Sequence, residues 1–438
     1  MMQKRINNMK FRKFILLATL TILFSCKRNL TIKDVDNRTV TQGYYNSPQR
    51  IEQAVIGGYV DLRRALLANY GWMMYGEARV GDLNVAVSYQ QTVAAQNLTA
   101  NDGSLIQLSD WGYFYDVIKD ANDVLEIIAQ ADGSVLNTYQ RNLFKGEALA
   151  LKSMTYFYLA RIWGDIPSAE KKTLGMRLSS NDAVTQAAAW AVEAQGLLPW
   201  LLNNTDGIAS TDLTTVRFNK TAITSLLAQE ELWLGHGQRA YDVLNNTFTA
   251  ATADSLSTFG LSTGVDNRTT IPQTPLDGQV VRMPLSRLDA IYPKGDARRT
   301  KMFTISTSEN VAKLITGNAS LLELLPLREI KLLFSEAAWR TGHLSDARTY
   351  LINAAAGATE DYSTLTDATF GDALLLERQR LLVGAGQRVF DLIRFGKVST
   401  YIPSFTETDI KNGAAYWPVS ARSIKDNSWS QTSFWSAR

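Results

Sequence analysis

The chain has 438 residues, with 45 Lys and Arg, 42 Asp and Glu, two His and one Cys. One cysteine excludes an intramolecular disulfide and a cysteine-built metal site, and two histidines exclude a three-histidine zinc site. Hydrophobic residues make up 45% and charged residues 20%, a balance that builds a buried core and does not fit a disordered chain.

The first 25 residues hold Lys4, Arg5, Lys10, Arg12 and Lys13 and no acid, followed by an apolar run of eleven from Phe14 to Phe24. A basic start, a short apolar stretch and a small residue predict a secretory signal over 1–25. The run is too short to span a membrane as a helix. Removing its five bases leaves 40 against 42 acids, so the formal +3 becomes about −2, and no global charge favours nucleic acid. The only cysteine, Cys26, closes the segment Leu23-Phe24-Ser25-Cys26. This resembles a bacterial lipoprotein signal, in which the cysteine becomes the lipidated first residue. Several acyl chains there would hold a domain firmly on a bilayer, where one chain is marginal.

Residues 26–42 are polar and predict a lipidated tether. From Ser47 to Leu67 a helix is expected: Ile51, Val55, Tyr59 and Leu62 recur at helical spacing, behind a Ser47-Pro48 start. A second is expected over Trp111–Ile128. A third runs from about Asn142 to Trp163, ended by Gly164 and Pro167. Another is expected near Ala183–Leu202.

Residues 221–247 and 328–351 echo each other, with Gly235, Ala240 and Leu244 matching Gly342, Ala347 and Leu351 in spacing. The pattern resembles the tetratricopeptide helix–turn–helix unit: the glycine permits the turn and the alanine lets two helices approach closely. Residues 248–318 are rich in Thr, Ser, Asp and Gly, and 398–438 read as loop. The fold class expected is mostly α, a tetratricopeptide-like helix-pair scaffold over about 43–165, 216–247 and 326–397. Irregular insertions at about 168–215, 248–318 and 398–438 would form a loop-rich second subdomain within a domain of 43–438.

Motifs for chemistry are weak. Gly260-Leu-Ser262-Thr-Gly264 fits a nucleophile-elbow spacing, but its Ser/Thr-rich surroundings and the lack of a spare histidine make it a loop coincidence. His236 and His343 hold the same place after the two turn glycines, which a repeat explains without chemistry. Gly396-Lys397 lacks the Ser or Thr of a phosphate loop, and Gly384-Ala-Gly386 lacks the third glycine of a dinucleotide site. Glu77 and Asp82 are a candidate glycosidase acid pair. Neither a metal site nor a cofactor is called for.

Aromatics are the remaining resource, with 10 Trp, 17 Tyr and 16 Phe. Trp233 and Trp339 fall in repeat helices and read as core. Trp72, Tyr75, Tyr89 and Tyr292 fall in or near expected loops, with Arg79 and Asp82 among them. Aromatic faces beside polar groups are how proteins hold sugars, so these six are the expected ligand-binding residues.

Several segments together resemble the SusD/RagB family of nutrient-binding outer-membrane lipoproteins. They are Gly146-Glu147-Ala148 with Tyr156 to Arg161 and Trp163-Gly164-Asp165-Ile166-Pro167; Glu377-Arg378 through Gly386, Arg388, Phe390-Asp391-Leu392, Arg394 and Gly396-Lys397; Gly295-Asp296-Ala297-Arg298; and the Tyr416-Trp417-Pro418 tail with Gln431. Leu381 and Ala385 replace two acids of the family pattern and Gln387 a common histidine. Glu377, Arg388, Asp391 and Arg394 are expected to pair at a helix end and a turn, a structural motif holding the C-terminal region on the scaffold. The resemblance implies a cell-surface lipoprotein, anchored in the outer membrane through Cys26, that is not an enzyme. It would bind an oligosaccharide or other nutrient and deliver it to a TonB-dependent SusC-like transporter, with the repeat face packed on that partner. Two alternatives are a helical glycan-degrading enzyme and a tetratricopeptide-type assembly lipoprotein.

Overall fold

A long helix buried on every side over most of its length marks the centre of the fold. In the computed structural model, which describes residues 44–169, 175–204, 207–248, 256–262, 281–315, 321–427 and 429–438, that helix is Thr138–Trp163. The signal, Cys26 and the whole of the tether lie outside the described residues, as does Gly264. Residues Asn46–Arg438 make one unit.

The longer helices, in chain order, are α1 (Pro48–Leu67), α2 (Gly112–Gln130), α3 (Thr138–Trp163), α4 (Ser180–Leu197), α5 (Lys220–Trp233), α6 (Gly237–Phe248), α7 (Leu327–Arg340), α8 (Leu344–Ala354) and α9 (Asp367–Leu381). The chain is mostly helical, as the sequence reading expected. Around α3 pack α1, α2 and α4. Its start is fixed by a capping box: Gln140 N–H donates to the Asn137 side chain and Asn137 N–H to the Gln140 side chain, which moves the helix start four residues ahead of the expected Asn142. Helix α1 begins at the expected Pro48, but Ser47 makes no side-chain cap bond. Helix α4 ends at Leu197 rather than Leu202, because Leu202 and Asn203 instead pair as a strand with Ala209 and Ser210.

The two sequence echoes are two helix hairpins, α5–α6 and α7–α8. Gly235 and Gly342 sit at the turns with φ of +79° and +81°, backbone angles that favour glycine. Ala240 and Leu244 of α6 pack with Ala228 and Leu232 of α5 and with Ile330, Leu333 and Ala337 of α7. Ala347 and Leu351 of α8 pack with Leu332 and Ala338 of α7 and with Phe370 and Leu374 of α9. Each hairpin buries its apolar face on the next, so the pairs stack in chain order.

Besides short two-residue strand pairs, strands occupy the stretch between the hairpins, and one of them pairs with a strand from ahead of α2. They are β1 (Asn84–Val85), ahead of α2, and β2 (Phe259–Ser262), β3 (Val281–Pro284), β4 (Phe303–Ser306), β5 (Val311–Leu314) and β6 (Leu321–Leu325) between the hairpins. One antiparallel sheet runs β1-β3-β5-β4, with Arg282 opposite both Asn84 and Lys313. β2 pairs antiparallel with β6, Leu322 opposite Leu261. The C-terminal stretch, read as loop, carries short helices at Val398–Tyr401, Glu407–Lys411, Ala421–Asn427 and Ser433–Ser436. Among the described residues no helix is long and apolar enough to cross a membrane.

Candidate functional site

The six residues expected to bind ligand lie inside the protein, between 0% and 7% exposed. Trp72 and Tyr75 belong to a short helix, Gly71–Gly76, rather than a loop. Their polar atoms are already engaged. Trp72 Nε1 donates to Gly384 O (3.2 Å), Tyr75 OH to Leu108 O (2.9 Å), Tyr89 OH to Asn69 O (2.8 Å) and Tyr292 OH to Arg380 O (2.6 Å). Arg79 donates to Gln96 Oε1 (2.9 Å) and to the carbonyls of Ala414 and Ala415. Burial away from any carboxylate lowers its pKa to about 9. Asp82 accepts from Arg287 and Gln379. These contacts correct the expectation of an exposed aromatic platform: all four rings are buried. The cavity among Glu77, Asp82, Tyr292, Gln379 and Arg388 holds about 10 Å³, room for about one water molecule and not a sugar.

Glu77 is committed as well. Its Oε1 accepts the N–H groups of Gly384 (3.0 Å) and Gly386 (3.2 Å), and burial raises its pKa to about 8 against the pull of those donors. The Glu77–Asp82 pair therefore latches distant segments together.

The 377–394 motif forms two buried charge networks rather than one set of mutual pairs. Arg378 joins Asp391 (2.9 Å) to Glu329 of α7 (2.7 Å). Arg394 bridges Asp391 (3.0 Å) and Glu336 (2.8 Å), and Arg340 also reaches Glu336 (2.9 Å). Burial alone would raise the Glu336 pKa, but Arg394, Arg340 and Arg378 together hold it below the usual value. Glu377 faces the other way, to Arg298, Arg380 (2.6 Å) and Tyr362 OH (2.6 Å), while Arg298 also holds Asp296 (2.6 Å). So Asp391 and Arg394 do pair, but Glu377 and Arg388 do not join them. Arg388 donates to Leu375 O (3.1 Å) and lies over the Tyr401 ring, 4.4 Å from its centroid. Gln387, where the family pattern has histidine, accepts from Arg161 (3.2 Å). The tail is held mainly elsewhere, by Arg79 on Ala414 and Ala415 and by Trp417 N–H on Ile162 O (2.7 Å).

A larger opening lies away from the six expected ligand residues. It is a surface groove of about 850 Å³, within the size range of small-ligand clefts. One wall is α1, through Glu52, Ile56, Val60 and Arg63. The start of α3 contributes Asn137, Tyr139 and Gln140, and the 202–210 hairpin contributes Asn203 and Asn204. Tyr139 is pinned, its OH accepting the Asn203 N–H at 2.9 Å. The floor is a chain of charge-assisted bonds. Arg217 donates to Glu52 and, through two nitrogens, to Glu147 (2.6 and 2.7 Å); Tyr59 OH donates to Glu147 Oε1 (2.8 Å). Glu147 is the acid of the Gly146-Glu147-Ala148 segment, so that motif builds the groove's floor. The sequence offered one signal for this site, the Asn137/Gln140 capping pattern, and it was missed. The other walls come from segments far apart in the chain.

Residues 34–232 match the family model described as starch-binding, associating with outer membrane. A SusD-like protein of Bacteroides ovatus is 29% identical over 164 residues, 35% of this chain and 28% of that protein. One of Formosa agariphila is 25% identical over 249 residues, 55% of this chain and 45% of that protein. The chain thus matches less than half the length of either curated relative. Among solved structures, a SusD superfamily protein of Bacteroides thetaiotaomicron aligns with a TM-score of 0.73 at 22% identity, covering 89% of this chain and 99% of that one. Surface glycan-binding protein A of the same organism, in complex with laminarihexaose, aligns with a TM-score of 0.69 at 16% identity, covering 88% and 99%. The chain is thus similar to the SusD-like proteins over residues 34–232 and shares the fold of solved SusD superfamily structures.

Proposed function

We propose that this chain is an outer-membrane surface lipoprotein, anchored through Cys26, that captures an oligosaccharide and delivers it to a TonB-dependent SusC-like transporter. The observation that carries the reading is the starch-binding family match over 34–232, a stretch that includes all but one of the residues lining the open groove. The lipoprotein-type signal ending at Cys26 supports anchorage, with 26–42 as the tether. Delivery to a transporter is our inference from the likeness to SusD-like proteins, as is the assignment to binding rather than catalysis. The engagement of Glu77 with two backbone N–H groups and of Asp82 with Arg287 and Gln379 supports that assignment, because neither acid is left to act on a glycosidic bond.

A detergent pull-down of the lipidated protein tests delivery. It is expected to recover a TonB-dependent barrel. Recovery of a different envelope assembly instead would favour the assembly-lipoprotein reading. Sugar release from polysaccharide by the purified protein would favour an enzyme.

A further inference from the structure

We infer that the groove between α1, the start of α3 and the 202–210 hairpin is the cleft for a neutral oligosaccharide; this rests on the glycan-binding reading above. Three features carry it. The first is shape: an open groove of about 850 Å³ admits a chain of rings, where the 10 Å³ cavity beside Tyr292 admits none.

The second is the polar lining. In the α3 capping box the side-chain oxygens of Asn137 and Gln140 are consumed by backbone N–H groups. Their amide NH₂ groups are therefore oriented donors, with no protein acceptor among the described residues. Asn203 adds a third amide side chain, and its own N–H fixes the Tyr139 hydroxyl. A rigid aromatic ring flanked by amide groups suits a ligand with apolar C–H faces and many hydroxyls. Ile56, 44% exposed on α1, and Val60 add apolar surface for the same faces.

The third is charge. Among the described residues the ionic groups at the groove are Glu52, Arg63 and Arg217, with Glu147 directly beneath, two acids against two bases. Arg217 is already saturated by Glu52 and Glu147. A sulfate or uronate would meet the Glu52 carboxylate and an Arg217 already paired with two acids. A hydroxyl-rich neutral chain has no such conflict.

The test uses the whole mature protein on an array of neutral glucans, xylans and mannans beside uronate- and sulfate-bearing oligosaccharides. The best hit is then titrated against wild type, Ile56→Trp, Tyr139→Ala and the control Ile352→Trp on exposed α8. Ile56→Trp fills the groove from an exposed position, so it keeps the fold even if Tyr139→Ala does not. The expected result is a neutral hit, insensitive to salt, whose Kd rises about tenfold or more in Ile56→Trp, a loss of one hexose-sized set of contacts, and is unchanged in Ile352→Trp. Neutral binding that survives Ile56→Trp in full would overturn the groove and leave the glycan reading standing. Salt-sensitive binding of acidic chains alone would overturn neutrality. Binding of an apolar peptide or lipid instead, or of no glycan at all, would overturn both.

Discussion

Glu230 is fully buried on α5. Ser153 Oγ donates to its Oε1 at 2.6 Å, and its Oε2 has no hydrogen-bond partner among the described residues. Burial raises its pKa from the ordinary 4.5 to about 8, as it does for Glu77. Both acids are thus protonated in the fold where the unfolded chain would ionise them. The native state then binds more protons than the unfolded one, so stability falls as pH rises from about 4.5 toward 8. The melting temperature is expected to be higher near pH 5 than near pH 8.5, and Glu230→Gln is expected to flatten that slope; an equal slope in the variant would count against a protonated Glu230. At Gly76 the constraint is steric. A Cβ there would lie 1.7 Å from Gly386 O, and backbone cannot give way as a side-chain tip can. Gly76→Ala is expected to cost about 1–3 kcal/mol or more, read as a lower urea midpoint. None of this was legible in sequence. Trp72 and Tyr75 look like loop aromatics until Gly384 and Leu108, remote in the chain, are seen to meet them.

Elements were far more legible than their contents. The spacing of Ile51, Val55, Tyr59 and Leu62 located α1, and the Gly–Ala–Leu echo located both hairpins, because a helix advertises its buried stripe locally. Strands β1, β3, β5 and β4 are two to four residues long, and β1 and β3 take their partners from segments well removed in the chain, so composition alone could mark only an irregular stretch. The 377–394 motif was recognised but its pairing was not. A run of charges says that carboxylates and guanidinium groups will be buried together, and the partners Glu329, Glu336 and Arg298 come from other elements. Arg378 is the joint between α7, α9 and the Arg388–Arg394 helix. Arg378→Met would leave Glu329 with only the Gln229 amide and Asp391 with Arg394 alone. The expected loss is about 3–5 kcal/mol, measured by chemical denaturation. A loss within error would mean that the network is dispensable.

At the scale of the molecule, a stack of helix pairs beside a small sheet leaves an open groove whose floor is tied to the central helix through Glu147, Arg217 and Tyr59. The core is thereby coupled to the surface that we assign to the ligand. The capping pattern at Asn137 and Gln140 marks only one side of the groove, because its walls join residues 48–63, 137–144 and 203–217, which no local pattern links. The anchor was the reverse case, a short local signal ending at Cys26. Cys26→Ala is expected to move the protein from the membrane fraction to the soluble fraction with its thermal melt unchanged; persistence on the membrane would refute the anchor. Capture and delivery together are read most directly by uptake of a fluorescent form of the array-selected oligosaccharide in the cells that make this protein. Uptake should fall on deletion of the protein, return with wild type, and stay low with Ile56→Trp present at the membrane in equal amount. Uptake that is unaffected by the deletion would contradict the account.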